Sequence, residues 1–161
     1  MNAIFYPEKS IGGGSLLFQV TLFCTLAWSV VWFLLTFSFL IFKASILPFP
    51  LAALTMEIVS TFLVLVVELL SVITGIRGNL TECRTTIVVS NILLFVGGIG
   101  AFYYMWLQTY VMMLDLAFSA ILLGVDALTF LSGFWALHNT FRRQAGWAFM
   151  PYHREIDKKK Q

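Results

Sequence analysis

The sequence predicts an all-α membrane protein, a bundle of four transmembrane helices with both termini on the cytosolic side. Three observations lead there. The residues are 60% hydrophobic and only 11% charged, more apolar surface than a soluble fold of this length can cover. The apolar residues form four runs, Leu16–Phe42, Leu51–Ile76, Thr85–Leu107 and Val111–Leu137, each long enough to cross a hydrocarbon core that needs about 20 helical residues. The basic residues then fall almost entirely on one side of those runs.

Residues 1–15 form a short N-terminal tail with Glu8, Lys9 and three consecutive glycines. No basic segment precedes a short apolar core, so the first run reads as a retained span rather than a cleaved signal. Its aromatics, from Phe18 through Trp28 and Trp32 to Phe42, are scattered around the helix. That pattern predicts a peripheral, lipid-facing helix. Cys24 reads as a small apolar filler within it.

Lys43–Pro50 is an extended connection set by Pro48 and Pro50. The second span ends where Gly75 and Gly78 are expected to stop a helix, with Arg77 at the negative end of its dipole. Residues Arg77–Arg84 form a polar turn. The third span carries Gly97, Gly98, Gly100 and Ala101, and Gly97 with Ala101 makes a small-xxx-small pair suited to close helix packing; a kink as in transporters is the alternative. Tyr103, Tyr104 and Trp106 are placed at the membrane interface. After a turn at Gln108–Tyr110 the fourth span leads into a basic tail, residues 141–161. Arg142, Arg143, Arg154, Lys158, Lys159 and Lys160 are expected there against an anionic leaflet.

With four spans, Lys9, Arg77, Arg84 and the six basic residues of the tail share one side, and Lys43 alone lies opposite. The positive-inside rule makes that side cytosolic. The sequon Asn79-Leu80-Thr81 then faces the cytosol and stays unmodified. Cys83 lies in the same loop, as a plain reduced thiol or a palmitoylation site.

The acids carry the most information. Glu57 and Glu68 are eleven residues apart, as are Asp115 and Asp126. Eleven residues is about three helical turns, so each pair occupies one face. A carboxyl is expensive in hydrocarbon, so these faces should meet protein. Glu57 and Asp115 lie near the outer end, while Glu68 and Asp126 lie roughly 22 to 26 Å along their spans by helix rise. No basic residue is expected among the spans, with Lys43 the only cation near the outer pair, so at least one deep acid should be protonated and glue the helices. The same acids could line a proton or cation path, the alternative function.

Chemistry of other kinds finds no support. His138 and His153 have no metal-ligand spacing with Cys24 or Cys83. No nucleophile–base set, phosphate loop or nucleic-acid module is present, so neither an enzyme nor a cofactor is expected.

Three segments together resemble a known family: ILPFP before the second span; Glu68 followed by Gly75, Gly78, Asn79 and Leu80; and Tyr103-Tyr104 followed by Leu107, Gln108, Tyr110 and Asp115. They are similar to the small tetraspan proteins of the ciliary transition zone, the group that includes transmembrane proteins 216, 80 and 17. The chain departs from that pattern at Ser71 and at Met112-Met113, where relatives carry arginine. The resemblance implies a non-enzymatic membrane component of the transition zone that supports cilium assembly and gates ciliary membrane composition. Related tetraspans and other proteins of the Meckel–Joubert assembly would be its partners, in an oligomer or hetero-complex. Lys158-Lys159-Lys160-Gln161 also resembles a dilysine retrieval signal, which gives the endoplasmic reticulum as the alternative address.

Overall fold

The computed structural model describes residues 14–48 and 50–159, with side chains from 143 onward outside that description. The N-terminal tail with Glu8 and Lys9, and the side chains of Arg143, Arg154, Lys158, Lys159 and Lys160, therefore lie outside the described residues. Four helices account for nearly everything else: α1 (Leu16–Ile46), α2 (Leu51–Thr81), α3 (Arg84–Trp106) and α4 (Met113–Lys159). All four are long and apolar enough to cross a membrane. α1 packs on α2 and α4, and α3 packs on the same two. The helices thus stand at the corners of a ring, in chain order.

The packing follows a heptad rhythm. α2 buries Glu57, Thr61, Val64, Glu68, Ser71, Gly75 and Gly78, alternating steps of four and three. α4 buries Asp115, Ser119, Leu122, Asp126, Thr129, Gly133 and Ala136 in the same alternation. A repeat of about 3.5 residues keeps one seam of each helix facing its neighbours. Much of that seam is polar, while Leu, Val, Ile and Phe cover the outside. Lipid supplies no hydrophobic drive for helices to associate, so small and polar side chains hold them together.

Several sequence expectations give way here. α1 is not a peripheral helix: Phe18, Leu22, Thr25, Ser29, Trp32, Thr36, Leu40 and Lys43 are buried along one seam. Phe33 and Phe37 pack on Phe62 of α2, and of the α1 aromatics only Phe23 and Phe42 are exposed. Cys24 is exposed, not an interior filler. α2 passes through Gly75 and Gly78 and ends at Thr81, capped by Glu82 in the left-handed region at φ 51°. The Arg77–Arg84 turn therefore shrinks to Glu82 and Cys83. The glycines mark close approach instead: a Cβ on Gly78 would lie 2.9 Å from the Ile87 backbone nitrogen of α3. α4 continues as helix through Lys159, well past the expected end of the fourth span.

Candidate functional site

The polar interior is the candidate site, and it is built in tiers. At the end carrying the α1–α2 and α3–α4 loops, Glu57 of α2 is held by the second loop. Gln108 Nε2 donates to its Oε2 at 3.0 Å and the Thr109 amide to its Oε1 at 2.9 Å. Beside it, Lys43 Nζ donates to Asp115 Oδ2, with both side chains shut off from solvent. The Met112 amide also donates to Asp115 Oδ2, at 3.3 Å. This acid in the first turn of α4 reaches back to cap its own helix, where the dipole favours negative charge. Tyr110 donates to the Pro48 carbonyl, at 3.4 Å, and joins the two loops.

Lys43 corrects the sequence reading twice. Pro48 restricts only the residue before it, so α1 runs on to Ile46 and takes Lys43 into the bundle. A cation thus does sit among the spans, and Asp115 is compensated by it.

One turn deeper, Tyr104 points inward instead of settling at the interface. Its hydroxyl donates to the Glu57 carbonyl at 2.7 Å and meets the hydroxyls of Ser60 and Thr61. Its ring stands edge-on to Trp32 of α1, centroids 5.2 Å apart, and Trp32 Nε1 donates to Ser119 Oγ of α4 at 3.0 Å. All four helices meet in this tier.

Midway along the bundle, Glu68 of α2 and Asp126 of α4 lie within interacting reach of each other. Among the described residues, none of their four carboxyl oxygens receives a hydrogen bond from an N–H or hydroxyl donor. The Glu68 carboxyl occupies the space a side chain on Gly97 would need, and Val64 fills the space over Gly100. Gly98 and Ala101 are buried as well, and α3 stays helical through the cluster. Alongside, Thr25 and Thr129 share a hydroxyl hydrogen bond at 2.8 Å, linking α1 to α4.

Toward the other end, Ser71 and Ser90 exchange hydrogen bonds with each other's backbone carbonyl, at 3.1 and 2.8 Å. Asn91 nests on Gly133. Asn79 ties α2 to the start of α1: its Oδ1 accepts from the Ser15 amide at 2.8 Å, and its Nδ2 donates to the Ser15 carbonyl and Gln19 Oε1. Leu80 is exposed, and so is Arg142. Arg84 stacks over the Phe141 ring, 4.5 Å from its centroid. Cys83 is exposed at the N-terminus of α3, and hydrogen bonds from the Thr86 hydroxyl and amide hold its thiol below the ordinary cysteine pKa. Among the described residues, no group of three His, Cys, Asp or Glu side chains is placed to hold a metal.

Sequence reasoning placed Lys43 near the outer acids but missed its burial among the spans, and it missed Trp32, Tyr104 and the α1 hydroxyls. Their signal was present as spacing: Thr25, Ser29, Trp32, Thr36 and Lys43 follow the heptad that the apolar background obscures.

Residues 20–126 match the Transmemb_17 family model, whose description is "Predicted membrane protein". The chain belongs to this family. Its curated relatives include proteins named transmembrane protein 216. The chain is 37% identical to the one from Bos taurus over 92 residues, 57% of this chain and 65% of that protein. It is 33% identical to the one from Homo sapiens, over 60% of this chain and 66% of that protein. It is 34% identical to the Danio rerio protein, over 52% of each. The chain thus spans just under two thirds of the length of the first two relatives. No solved structure matches it.

Proposed function

We propose that this member of the family is a non-enzymatic scaffold of the ciliary transition zone, supporting cilium assembly and gating membrane composition by helix–helix association with other membrane proteins. The observation that carries the proposal is its similarity to transmembrane protein 216 across most of the spanning region, a member of the tetraspan group its motifs resemble. The interior agrees with such a role. Its hydroxyls and amides bind helix to helix, and the outward surface is overwhelmingly apolar. Glu68 and Asp126 belong to the same adhesive design: a proton shared between two contacting carboxyls makes one of them a donor to the other. Both termini and Cys83 face the cytosol in this reading, with the basic tail against anionic lipid.

A small proton- or cation-coupled carrier using Glu57, Glu68, Asp115 and Asp126 is the second reading, favoured by Glu68 and Asp126 having, among the described residues, no donor besides each other's carboxyl. Tagged full-length chain in a ciliated cell tests the first. Concentration at the cilium base supports it. A reticular distribution that becomes ciliary on replacing Lys158, Lys159 and Lys160 by alanine places the working protein in the endoplasmic reticulum instead.

A further inference from the structure

The hydrogen bonds between helices sort the bundle into two pairs. α1 and α4 are joined along their length: Thr21 to Ser132, Thr25 to Thr129, Trp28 to the Phe118 carbonyl, Trp32 to Ser119 and Lys43 to Asp115. α2 and α3 are joined by Ser71 with Ser90, and by Tyr104 with Ser60, Thr61 and the Glu57 carbonyl. The seams between the pairs are mostly carbon. Phe33 and Phe37 meet Phe62 across α1–α2, and Phe95 meets Phe130 across α3–α4. Lipid tails substitute readily for such contacts, whereas a hydrogen bond broken in hydrocarbon finds no water to replace it.

The ties from one pair to the other are unevenly placed. Both connections between pairs, residues 47–50 and 107–112, lie at one end of the bundle. There Tyr110 joins them to each other, and Glu57 holds Gln108 and Thr109. At the far end Asn79 of α2 binds Ser15 and Gln19, and Arg84 of α3 lies over Phe141 of α4. Midway, among the described residues, the polar link is Glu68 with Asp126, on helices at opposite corners of the ring.

We infer that the chain is built as two jaws, α1–α4 and α2–α3, hinged at the end that carries both connections, and that the proton shared by Glu68 and Asp126 is the latch that holds them shut. With the proton present, one carboxyl donates to the other. Once it is lost to bulk water, two like charges face each other in a medium of low dielectric. No N–H or hydroxyl donor among the described residues relieves them. Parting the jaws admits water to both carboxylates. Such a hinge motion breaks no hydrogen bond within either pair. No neighbouring group competes for the proton. α1 carries no titratable side chain over residues 25–42 and α3 none over 85–102. Over 58–76 of α2 and 116–137 of α4, Glu68 and Asp126 are alone. Lys43, Glu57, Tyr103, Tyr104 and Asp115 belong to the hinge end, with Glu57 and Asp115 about 16 Å from the latch by helix rise. Cys24 is exposed, and His138 follows Asp126 by twelve residues. The device goes beyond the scaffold reading and stands without it.

The test places pairs of nitroxide labels on the full chain in phosphatidylcholine vesicles, with Cys24→Ser and Cys83→Ser clearing the native thiols. Leu17→Cys with Val88→Cys spans the jaws at the opening end. Leu80→Cys with Val88→Cys lies within one jaw, and Leu51→Cys with Met113→Cys spans the hinge. All these positions are exposed. Electron paramagnetic resonance reads the distances as the pH rises from about 5 to about 10, a span that takes in buried as well as ordinary carboxyls. The distance across the opening end should lengthen while the other two hold. Glu68→Gln with Asp126→Asn keeps a donor and an acceptor without an ionisable proton, and should stay shut throughout. Asn79→Ala releases the far-end tie and leaves the latch intact, so it should open about 0.5–1 pH unit lower than the wild type. Its readout decides the matter even where the double variant does not fold. An opening-end distance that never changes overturns the proposal, as does one that lengthens equally in the double variant. An Asn79→Ala midpoint that does not move overturns it too. So does lengthening of all three distances together, which is unfolding of the whole bundle.

Discussion

Lys43, near the end of α1, donates to Asp115 in the first turn of α4, 72 residues away in the chain, and both side chains are sealed inside the bundle. The pair closes the ring between the first and last helices. Removing one member strands the other as an uncompensated buried charge, which costs about 3–5 kcal/mol. Lys43→Met should therefore destabilise the bundle by that order in a detergent unfolding titration. Lys43→Met combined with Asp115→Leu should cost less than Lys43→Met alone. Additive losses would contradict a direct pair.

Glycine positions separate contact from mere composition. Gly78→Ala drives a Cβ to 2.9 Å from the Ile87 backbone nitrogen, where no side-chain rotation relieves it, so α2 and α3 must shift apart. A loss of about 1–3 kcal/mol is expected for such overpacking. Gly124→Ala meets nothing within 4 Å and should be neutral or slightly stabilising, because alanine is the better helix former. Thermal unfolding of the two variants in one detergent checks the contrast.

Asn79 holds the beginning of α1 by three hydrogen bonds. Asn79→Ala should cost about 1 kcal/mol, since it removes hydrogen bonds to part-buried groups of Ser15 and Gln19. Amide hydrogen exchange should quicken at Ser15, whose N–H then loses its acceptor, while the amides of α3 change little. Asn79 Nδ2, the atom a glycan would need, is already engaged in the folded chain.

The Cys83 thiol titrates below the ordinary cysteine value because the Thr86 hydroxyl and amide stabilise its thiolate. Thiolate is the reactive form, so its alkylation should reach full rate at a lower pH than a free cysteine does. Thr86→Val should move that midpoint upward. Cys24, exposed on an apolar span, should stay silent to aqueous reagents. In intact cells a membrane-impermeant maleimide should label Cys83 only after permeabilisation; labelling beforehand would reverse the proposed orientation.

Much of the fold could be read from length and hydropathy alone, because helices are among the few structures that satisfy their backbone within lipid. The four apolar runs accordingly became four helices. For the acids, eleven-residue spacing and the buried seams of α2 and α4 coincide. What hydropathy could not give was the direction of each helix face. α1 is apolar almost all round, so the seam holding Thr25, Ser29, Thr36 and Lys43 had no contrasting background. Tyr104 illustrates a second limit: a tyrosine near a span end suits the interface, and only the Glu57 carbonyl and the Ser60 and Thr61 hydroxyls turn it inward. Lys43 shows a third, since proline signals where a helix must have ended but not how far before that it ends.

The central claim is that the buried acids bind helices together and do not carry ions. Proton flux into pH-loaded vesicles, measured on wild type and on Glu68→Gln with Asp126→Asn together, tests it most directly. The account predicts no flux above empty vesicles in either protein, and a double variant that still folds as a bundle. Wild-type flux that vanishes in the double variant would contradict it.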